Sequence, residues 1–238
     1  MAANRGEAYP SAPEKEPVFN GKLYVEIGVG YTVGYDTRMR FGEDDYYLGI
    51  DSGLAYQEGG LGTLSPVESI RQATDGGRAA HLPTVDFLTA DARALPLPDQ
   101  SVDELLAANI FSDPLLAPKI PAGTPIGDKP VLRYFGEPAV ASEGGRGYHI
   151  IEELGEAREA ILKEAARVLK EGGRLVVNSF LTPEYAYHQG MLEWLKQHGF
   201  EAVLLSARDE AWEAATRGYL DTDSPNSAHR VIIATKRS

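Results

Sequence analysis

Short apolar runs of strand length recur along the chain from residue 22 onwards, and several of them end in glycine or aspartate. Runs that are rich in β-branched, aliphatic and aromatic side chains, and that lack a helical period, are typical of buried strands. The pattern predicts seven strands, over residues 23–27, 46–50, 85–90, 102–110, 174–180, 201–206 and 229–236.

Amphipathic segments separate several of these strands. The strongest is a helix predicted to begin near His149 and to end at the glycine pair Gly172-Gly173, because glycine readily adopts the left-handed conformation that closes a helix. Its apolar residues recur at a spacing of three or four, as on one helix face: Ile151, Leu154, Ala157, Ile161, Ala165 and Val168. Further helices are predicted over residues 65–73 and 183–197. Strands that alternate with helices indicate an α/β fold with a doubly wound, mostly parallel sheet.

One long segment interrupts this alternation. Residues 112–148 hold six prolines and many glycines, and they follow the fourth predicted strand. Long loops in compact domains are usually functional, and open α/β sheets bind ligands at the carboxyl ends of their strands. We therefore interpret 112–148 as a substrate-side lid inserted into a single domain of residues 21–238. Residues 1–20, which are polar and contain several prolines, are expected to form a flexible arm.

Composition narrows the possible functions. The 238 residues are 43% hydrophobic, and 23 basic against 35 acidic side chains give a net charge of −12. That balance disfavours a nucleic-acid partner, because binding to a phosphate backbone depends on clustered Lys and Arg. The chain has no cysteine, which excludes disulfides and thiolate metal sites and is compatible with the cytoplasm. Its apolar stretches are far shorter than the roughly 20 residues of a membrane span, so we expect no membrane segment and, from the spacing of the acids, no metal site.

A glycine turn with an acid before it follows the first predicted strand. Gly28 and Gly30 fit the start of the dinucleotide pattern G-x-G-x-x-G, but Val33 stands at its sixth position and Gly34 comes one residue late. Glu26 lies two residues before Gly28. A carboxylate at this point attracts a cationic or hydrogen-bond-donating ligand and repels a pyrophosphate.

Acids also end the next two predicted strands. Asp51 follows the second strand, 23 residues after Gly28, at a position where a carboxylate can accept hydrogen bonds from both hydroxyls of a ribose. Asp91 follows the third strand, where its carboxylate and the neighbouring backbone N–H suit an adenine ring. Each acid alone is weak evidence, but three at one edge of the sheet predict a nucleoside site.

With these residues in place, the chain resembles the class I S-adenosylmethionine-dependent methyltransferases. Four segments carry the resemblance: residues 25–30, 48–51, 91–103 (DARALPLPDQSVD) and 164–175 (EAARVLKEGGRL). The resemblance covers residues 22–111 and 150–236 and implies a Rossmann-like sheet of seven strands with the last one antiparallel. The segment 112–148 has no counterpart in the minimal fold of this family.

The resemblance also implies a set of cofactor-binding residues. These are Glu26 at the methionine amino group, Gly28, Val29 and Gly30 along the backbone that packs on the cofactor, Asp51 and Ser52 at the ribose, Asp91 and Ala92 at the adenine, and Asn109 at the methionine end. The implied cofactor is S-adenosylmethionine, and the implied product is S-adenosylhomocysteine.

For the catalytic residue we select His149, between the insertion and the long helix, as a candidate general base, with His188 as a second candidate. The run Asn109-Ile110-Phe111-Ser112 lacks the Asn-Pro-Pro-aromatic motif of amino-group methylases of adenine or glutamine. A small-molecule acceptor is therefore expected. Two alternatives stay open at this point, a nicotinamide-dependent Rossmann oxidoreductase and a non-catalytic cofactor-binding scaffold.

Overall fold

A computed structural model describes the strands and helices given below. The described residues are 21–29, 44–52, 85–108, 110–112, 116, 120–126, 128–130, 132–134, 137–141, 148–150, 154–179, 187–206, 209–211 and 230–238. The predicted arm 1–20, the predicted helix 65–73, Gly30 and Asn109 lie outside them.

Twelve strands are present among the described residues. The first four are β1 (Leu23–Ile27), β2 (Tyr46–Ile50), β3 (Val85–Leu88) and β4 (Val102–Ala108). Five short ones follow in the inserted segment: β5 (Pro125–Ile126), β6 (Lys129–Pro130), β7 (Leu132–Tyr134), β8 (Glu137–Ala141) and β9 (Tyr148–Ile150). The last three are β10 (Leu169–Ser179), β11 (Phe200–Ser206) and β12 (Arg230–Lys236).

Seven of these strands form one sheet in the order β3-β2-β1-β4-β10-β12-β11. The pairs among β3, β2, β1, β4 and β10 are parallel, and β12 is antiparallel to both β10 and β11. The prediction of a Rossmann-like, mostly parallel sheet with an antiparallel last strand is confirmed. The strand order reverses between β1 and β4, and at such a switch point the carboxyl ends of neighbouring strands leave a crevice for a ligand.

The main helix is shorter than its apolar pattern predicts. Helix α1 covers Glu156–Val168 and buries an apolar stripe that includes Ile161, Leu162, Ala165 and Val168. It cannot begin near His149, because Gly155 adopts a φ of 77°, which an α-helix does not contain. The start predicted near His149 is therefore wrong.

The glycine pair after this helix belongs to a strand and does not close the helix. The backbone of Leu169 is already extended, and this residue pairs with Val102 of β4. The register between β10 and β4 then shifts between Leu169 and Arg174, and Gly172 lies within the shift with a φ of 75°. Three extra residues of β10 therefore stand opposite β4 at this irregularity, and glycine accommodates the left-handed backbone there.

A second helix completes the described core. Helix α2 covers Tyr187–Gln197 and packs on β11. The core cluster combines apolar side chains of β1, β4, β10 and β12 with the buried faces of both helices, including Met191 and Leu195 of α2. The sheet is thereby covered on one face, and its carboxyl edge lies beside the start of α1.

The inserted segment has its own β-structure. Strands β5 and β6 form a hairpin, and β7, β8 and β9 form a three-stranded antiparallel sheet. Ala139 of β8 is fully buried in the main core. The sequence pattern did not predict these short strands, in which antiparallel pairing provides partners for backbone N–H and C=O groups.

Two acids at the amino edge of the sheet bind the start of β1. Asp45 accepts a hydrogen bond from the backbone N–H of Lys22 at 2.8 Å, and Asp103 accepts one from the N–H of Leu23 at 2.9 Å. Asp103 also binds the Lys170 ammonium at 2.7 Å. Asp45 is buried, so it is a structural residue rather than part of a solvated run of charges.

The described helices are short. They have 13 and 11 residues, and no helix in the described part of the chain is long and apolar enough to cross a bilayer. Among the same residues, no group of three or more His, Asp or Glu side chains is arranged to hold a metal ion.

Candidate functional site

A buried carboxylate lies close to the carboxyl end of the central strand β1. The side chain of Glu26 is 1% exposed, and its Oε2 accepts a hydrogen bond of 2.6 Å from the hydroxyl of Tyr47 on β2. Burial, and then the nearby Glu26 charge, raise the pKa of Tyr47 well above its usual value. The tyrosine therefore stays protonated, and its hydroxyl donates a hydrogen bond to the carboxylate.

The turn after β1 requires glycine at its first position. Gly28 adopts a φ of 74°, and a Cβ at this residue would lie 2.9 Å from the Cβ of Ile110. Its N–H donates to the carbonyl of Ile50 at 2.8 Å, which extends the ladder between β1 and β2. Val29 is buried next to this turn. Glycine at this position therefore lets Ile110 pack directly against the turn, which a side chain at residue 28 would prevent.

The ends of β1, β2 and β3 lie side by side. Ile27 pairs with Ile50, Ile50 pairs with Leu88, and the N–H of Asp51 donates to the carbonyl of Leu88 at 3.2 Å. Neighbouring strands are about 4.8 Å apart, so Asp51 is one strand spacing from Gly28. Asp51 is partly buried and Ser52 is exposed. The predicted proximity of the glycine turn and the first two acids is present in the structure.

The third predicted acid is already paired. The Asp91 carboxylate lies 2.6 Å from the Arg93 guanidinium and accepts the backbone N–H of Arg93 at 2.8 Å. The hydrogen bonds from Arg93 lower the pKa of Asp91. Asp91 is therefore ionised and oriented, with Arg93 as a neighbour that the sequence pattern did not predict. Ala92 beside it is buried.

Helix α1 holds the loop that carries Asp91. The Arg167 guanidinium donates to the carbonyls of Leu95 and Leu97, each at 2.8 Å, and to the carboxylate of Asp99 at 2.6 Å. Glu164 accepts the N–H of Leu95 at 2.8 Å, and its pKa is lowered, chiefly by the hydrogen bond from Arg167. The segments 91–103 and 164–175, which both carry the family resemblance, are thus bound to each other.

Replacing Arg167 with lysine should destabilise this loop. Lysine keeps the charge but cannot reproduce the planar fork that binds two carbonyls and two carboxylates. We expect the free energy of unfolding to fall by about 2 kcal/mol in urea titrations. The matched control is Lys163→Ala on the same helix, because an exposed ion pair such as Lys163–Glu159 contributes less than about 1 kcal/mol. Equal effects of the two substitutions would contradict the role given to Arg167.

A buried arginine fixes the segment that follows β4. Arg158 of α1 is 0% exposed, and its Nε donates to the carbonyl of Phe111 at 2.8 Å. Phe111 belongs to a 3-10 turn, Ile110–Ser112, whose Ile110 packs against Gly28. Arg158 therefore helps to set the floor of the glycine turn. Asn109, predicted for the methionine end, precedes this turn and is not among the described residues.

One of the two histidine candidates differs in position from the sequence expectation, and the other lies in the predicted helix. His149 lies on β9 of the inserted sheet, paired with Val140, and not at the start of a helix. His188 lies in the first turn of α2, is buried, and has its pKa lowered to about 4, first by burial and then by the charges of Arg230 and Arg158. A base with so low a pKa accepts a proton poorly at neutral pH, which makes His188 the weaker candidate.

Acidification should destabilise the protein through His188. The unfolded chain takes up a proton near pH 6.5 and the folded protein near pH 4, so the stability from this group is complete above pH 6.5 and is lost as the pH falls towards 4. The loss between pH 7 and pH 5 is about 2 kcal/mol. We expect His188→Gln to lose about 2 kcal/mol less free energy of unfolding than the wild type between pH 7 and pH 5, as measured by thermal melting at each pH. His198→Gln, at the exposed end of α2, is the control; a pH dependence unchanged in His188→Gln would refute the assignment.

Sequence reasoning missed several contacts of this site. Tyr47, Ile110 and Arg158 were interpreted as strand or helix residues, without a role at the site. Their contacts depend on strand register and on helix packing, neither of which the local pattern contains. The pairing of Arg93 with Asp91 could have been anticipated, since an Asp side chain often binds groups two residues later.

The chain matches known proteins by its structure and not by its sequence. No protein-family model matches the chain, and no curated protein sequence does. Many of the solved structures that match are S-adenosylmethionine-dependent methyltransferases, the class that the sequence motifs resemble.

Three of the matching structures illustrate how similar they are to this chain in sequence and in fold. A CurJ carbon methyltransferase is 16% identical with a TM-score of 0.47, over 94% of this chain and 51% of its own. A methyltransferase from Methanosarcina mazei is 14% identical with a TM-score of 0.49, over 91% and 93%. An rRNA methylase from Streptococcus thermophilus is 9% identical with a TM-score of 0.46, over 92% and 89%. The chain spans about half the length of the first. The fold assignment rests on the strand order itself, which is that of a Rossmann-like α/β sheet.

Proposed function

We propose that this protein transfers a methyl group from S-adenosylmethionine to a small-molecule acceptor. The observation that carries the proposal is the buried Glu26 carboxylate, which accepts the Tyr47 hydroxyl at 2.6 Å next to the Gly28 turn at the carboxyl end of β1. A ligand that suits this carboxylate has a cationic group that donates hydrogen bonds. The methionine part of S-adenosylmethionine has that chemistry.

The other described residues fit the rest of the cofactor. Asp51 lies next to Gly28 across the sheet, where its carboxylate would bind the ribose hydroxyls, with Ser52 beside it. Asp91 is kept ionised by Arg93, and with Ala92 it would bind the adenine on a loop that α1 holds in place. Gly30 and Asn109 are proposed to complete the site on the strength of the motif alone.

The chemistry asks little of the protein beyond alignment. When bound, S-adenosylmethionine supplies an activated methyl group, which bonds to the acceptor's nucleophile as the carbon–sulfur bond breaks and its electrons return to sulfur. The residues of this chain hold the donor, align the acceptor and exclude water. Where the acceptor is a hydroxyl, a base must remove its proton, and we propose His149 of the inserted sheet for that role.

A small-molecule acceptor agrees with the charge of the chain. A net charge of −12 opposes association with the phosphate backbone of RNA or DNA. The inserted β5–β9 segment follows β4, beside the switch point where a ligand would bind. We therefore propose that this segment, acting as a lid, shapes the acceptor pocket.

Thermal shift measurements separate this function from the alternatives. S-adenosylhomocysteine should raise the melting temperature, whereas NAD and NADP should not, because a pyrophosphate would face the Glu26 carboxylate. Transfer of a labelled methyl group is then assayed with pooled small molecules and with total RNA. Stabilisation by NAD alone would indicate an oxidoreductase. Stabilisation by S-adenosylhomocysteine without transfer to any acceptor would indicate a scaffold, and label in RNA would replace the proposed acceptor class.

A further inference from the structure

Tyr47 lies directly below the candidate site, on the same face of the sheet as Glu26. The register of β1 and β2 pairs Tyr24 with Tyr47 and Glu26 with Gly49. Because side chains alternate between the two faces of a strand, Tyr47 and Glu26 project from one face. Gly49, the register partner of Glu26, places no side chain of its own between the tyrosine ring and the carboxylate.

The tyrosine ring is held in place from its other side. Phe87 of β3 lies edge-on to Tyr47, with the ring centroids 6.2 Å apart and an angle of 69° between the rings. Phe87 also occupies the space beside Gly49, where a Cβ would lie 2.6 Å from the phenylalanine ring. Tyr47 itself is fully buried. The hydroxyl is therefore presented to Glu26 from a ring with little freedom to move.

A carboxylate that is 1% exposed requires donors within the protein. The Tyr47 hydroxyl supplies one at 2.6 Å, the short distance expected of a hydrogen bond to a charged acceptor. Such a bond fixes the plane of the carboxylate as well as satisfying one oxygen. Phenylalanine would fill nearly the same volume but could not donate this hydrogen bond to Glu26.

We propose that Tyr47 is a positioning residue, which orients the Glu26 carboxylate to bind the primary ammonium group of the methyl donor and of its product. This role rests on the proposed function, since it assumes that an S-adenosyl compound binds at Glu26. In this role, Tyr47 affects the affinity only for ligands that carry the amine. The role also explains why a tyrosine is buried in the sheet next to an acid.

The test compares a ligand that carries the amino-acid chain with one that lacks it. S-adenosylhomocysteine has the amino and carboxylate groups, and 5′-methylthioadenosine is a related thioether nucleoside without either. By calorimetry, Tyr47→Phe should weaken binding of S-adenosylhomocysteine about tenfold and leave binding of methylthioadenosine unchanged. The same substitution in a Glu26→Gln background should add no further loss.

The neighbouring Tyr46 provides a matched control. Its hydroxyl donates to the carboxylate of Asp86 on an exposed part of the sheet, so Tyr46→Phe also removes a hydroxyl–carboxylate hydrogen bond. That variant should bind both ligands as the wild type does. If Tyr47→Phe does not fold, Glu26→Asp serves instead, because it keeps the charge but withdraws the carboxylate from the tyrosine hydroxyl; it should show the same difference between the ligands.

The outcomes separate the two proposals. If the wild type binds S-adenosylhomocysteine and Tyr47→Phe loses affinity equally for both ligands, or for neither, the positioning role is wrong and the proposed function stands. An S-adenosylhomocysteine affinity unchanged in Glu26→Asp would overturn the positioning role in the same way. If the wild type binds neither ligand, the proposed function fails and the positioning role fails with it.

Discussion

Replacing Glu26 with glutamine is expected to weaken S-adenosylhomocysteine binding about 100-fold. The substitution keeps the size of the side chain and an oxygen that can accept from the Tyr47 hydroxyl, so the fold should be preserved. It removes the negative charge that would pair with the ligand ammonium in a site where the side chain is almost fully buried. Calorimetric titration of the two proteins under the same conditions measures the effect.

Glu201→Gln is the control for this experiment. Glu201 also lies on a strand of the sheet, but it is exposed on β11 and far along the sheet order from β1. Its replacement should leave the affinity unchanged. If Glu26→Gln binds the ligand as tightly as Glu201→Gln does, the carboxylate does not recognise the amine and the assignment of the site is wrong.

Gly28→Ala should be the most destabilising single-methyl change in the site. It places a side chain at a φ of 74° and brings its Cβ to 2.9 Å from the Cβ of Ile110. The left-handed backbone costs about 1 kcal/mol, and the overpacking adds about 2 kcal/mol, so the free energy of unfolding should fall by about 3 kcal/mol. Urea titration measures this loss, and ligand affinity should fall as well, because the turn has to shift.

Gly172→Ala separates the two causes. Gly172 has nearly the same φ, 75°, but a Cβ there would meet no atom within 4 Å. Only the backbone term applies to it, so the loss should be about 1 kcal/mol with unchanged ligand affinity. Equal destabilisation of the two variants would show that Ile110 does not constrain the glycine turn.

Much of the fold could be predicted from local patterns. The runs over 23–27 and 46–50 coincide with β1 and β2, because a continuous apolar run between glycines and polar residues suits a strand buried on both faces. The apolar stripe of α1 was equally clear, since Ile161, Ala165 and Val168 share one helix face. Periodicity identifies such elements but does not give their ends.

The ends were set by backbone conformations that the pattern does not show. Ile151 and Leu154 continue the helical spacing upstream of α1, yet Gly155 at a φ of 77° stops the helix there. Gly172 was predicted to close the helix, but Leu169 had already entered the sheet opposite Val102. At Leu169, pairing with β4 overrode the local helical signal.

The residues of the candidate site also include some whose positions could be predicted from the sequence and some whose positions could not. That Glu26, Gly28 and Asp51 lie near one another could be predicted, because each stands at or beside the end of a strand and the ends of neighbouring parallel strands meet at one edge of the sheet. Tyr47 could not, because its contact with Glu26 depends on the register between two strands. His149 was placed at a helix start by periodicity, whereas pairing with Val140 places it in the inserted sheet.

A crystal structure of the protein with S-adenosylhomocysteine tests the central claim most directly. We expect the ligand amine within hydrogen-bonding distance of the Glu26 carboxylate, its ribose hydroxyls at Asp51, and its backbone-facing side on Gly28. A ligand bound elsewhere on the chain, or crystals that stay empty at saturating concentration, would contradict the account.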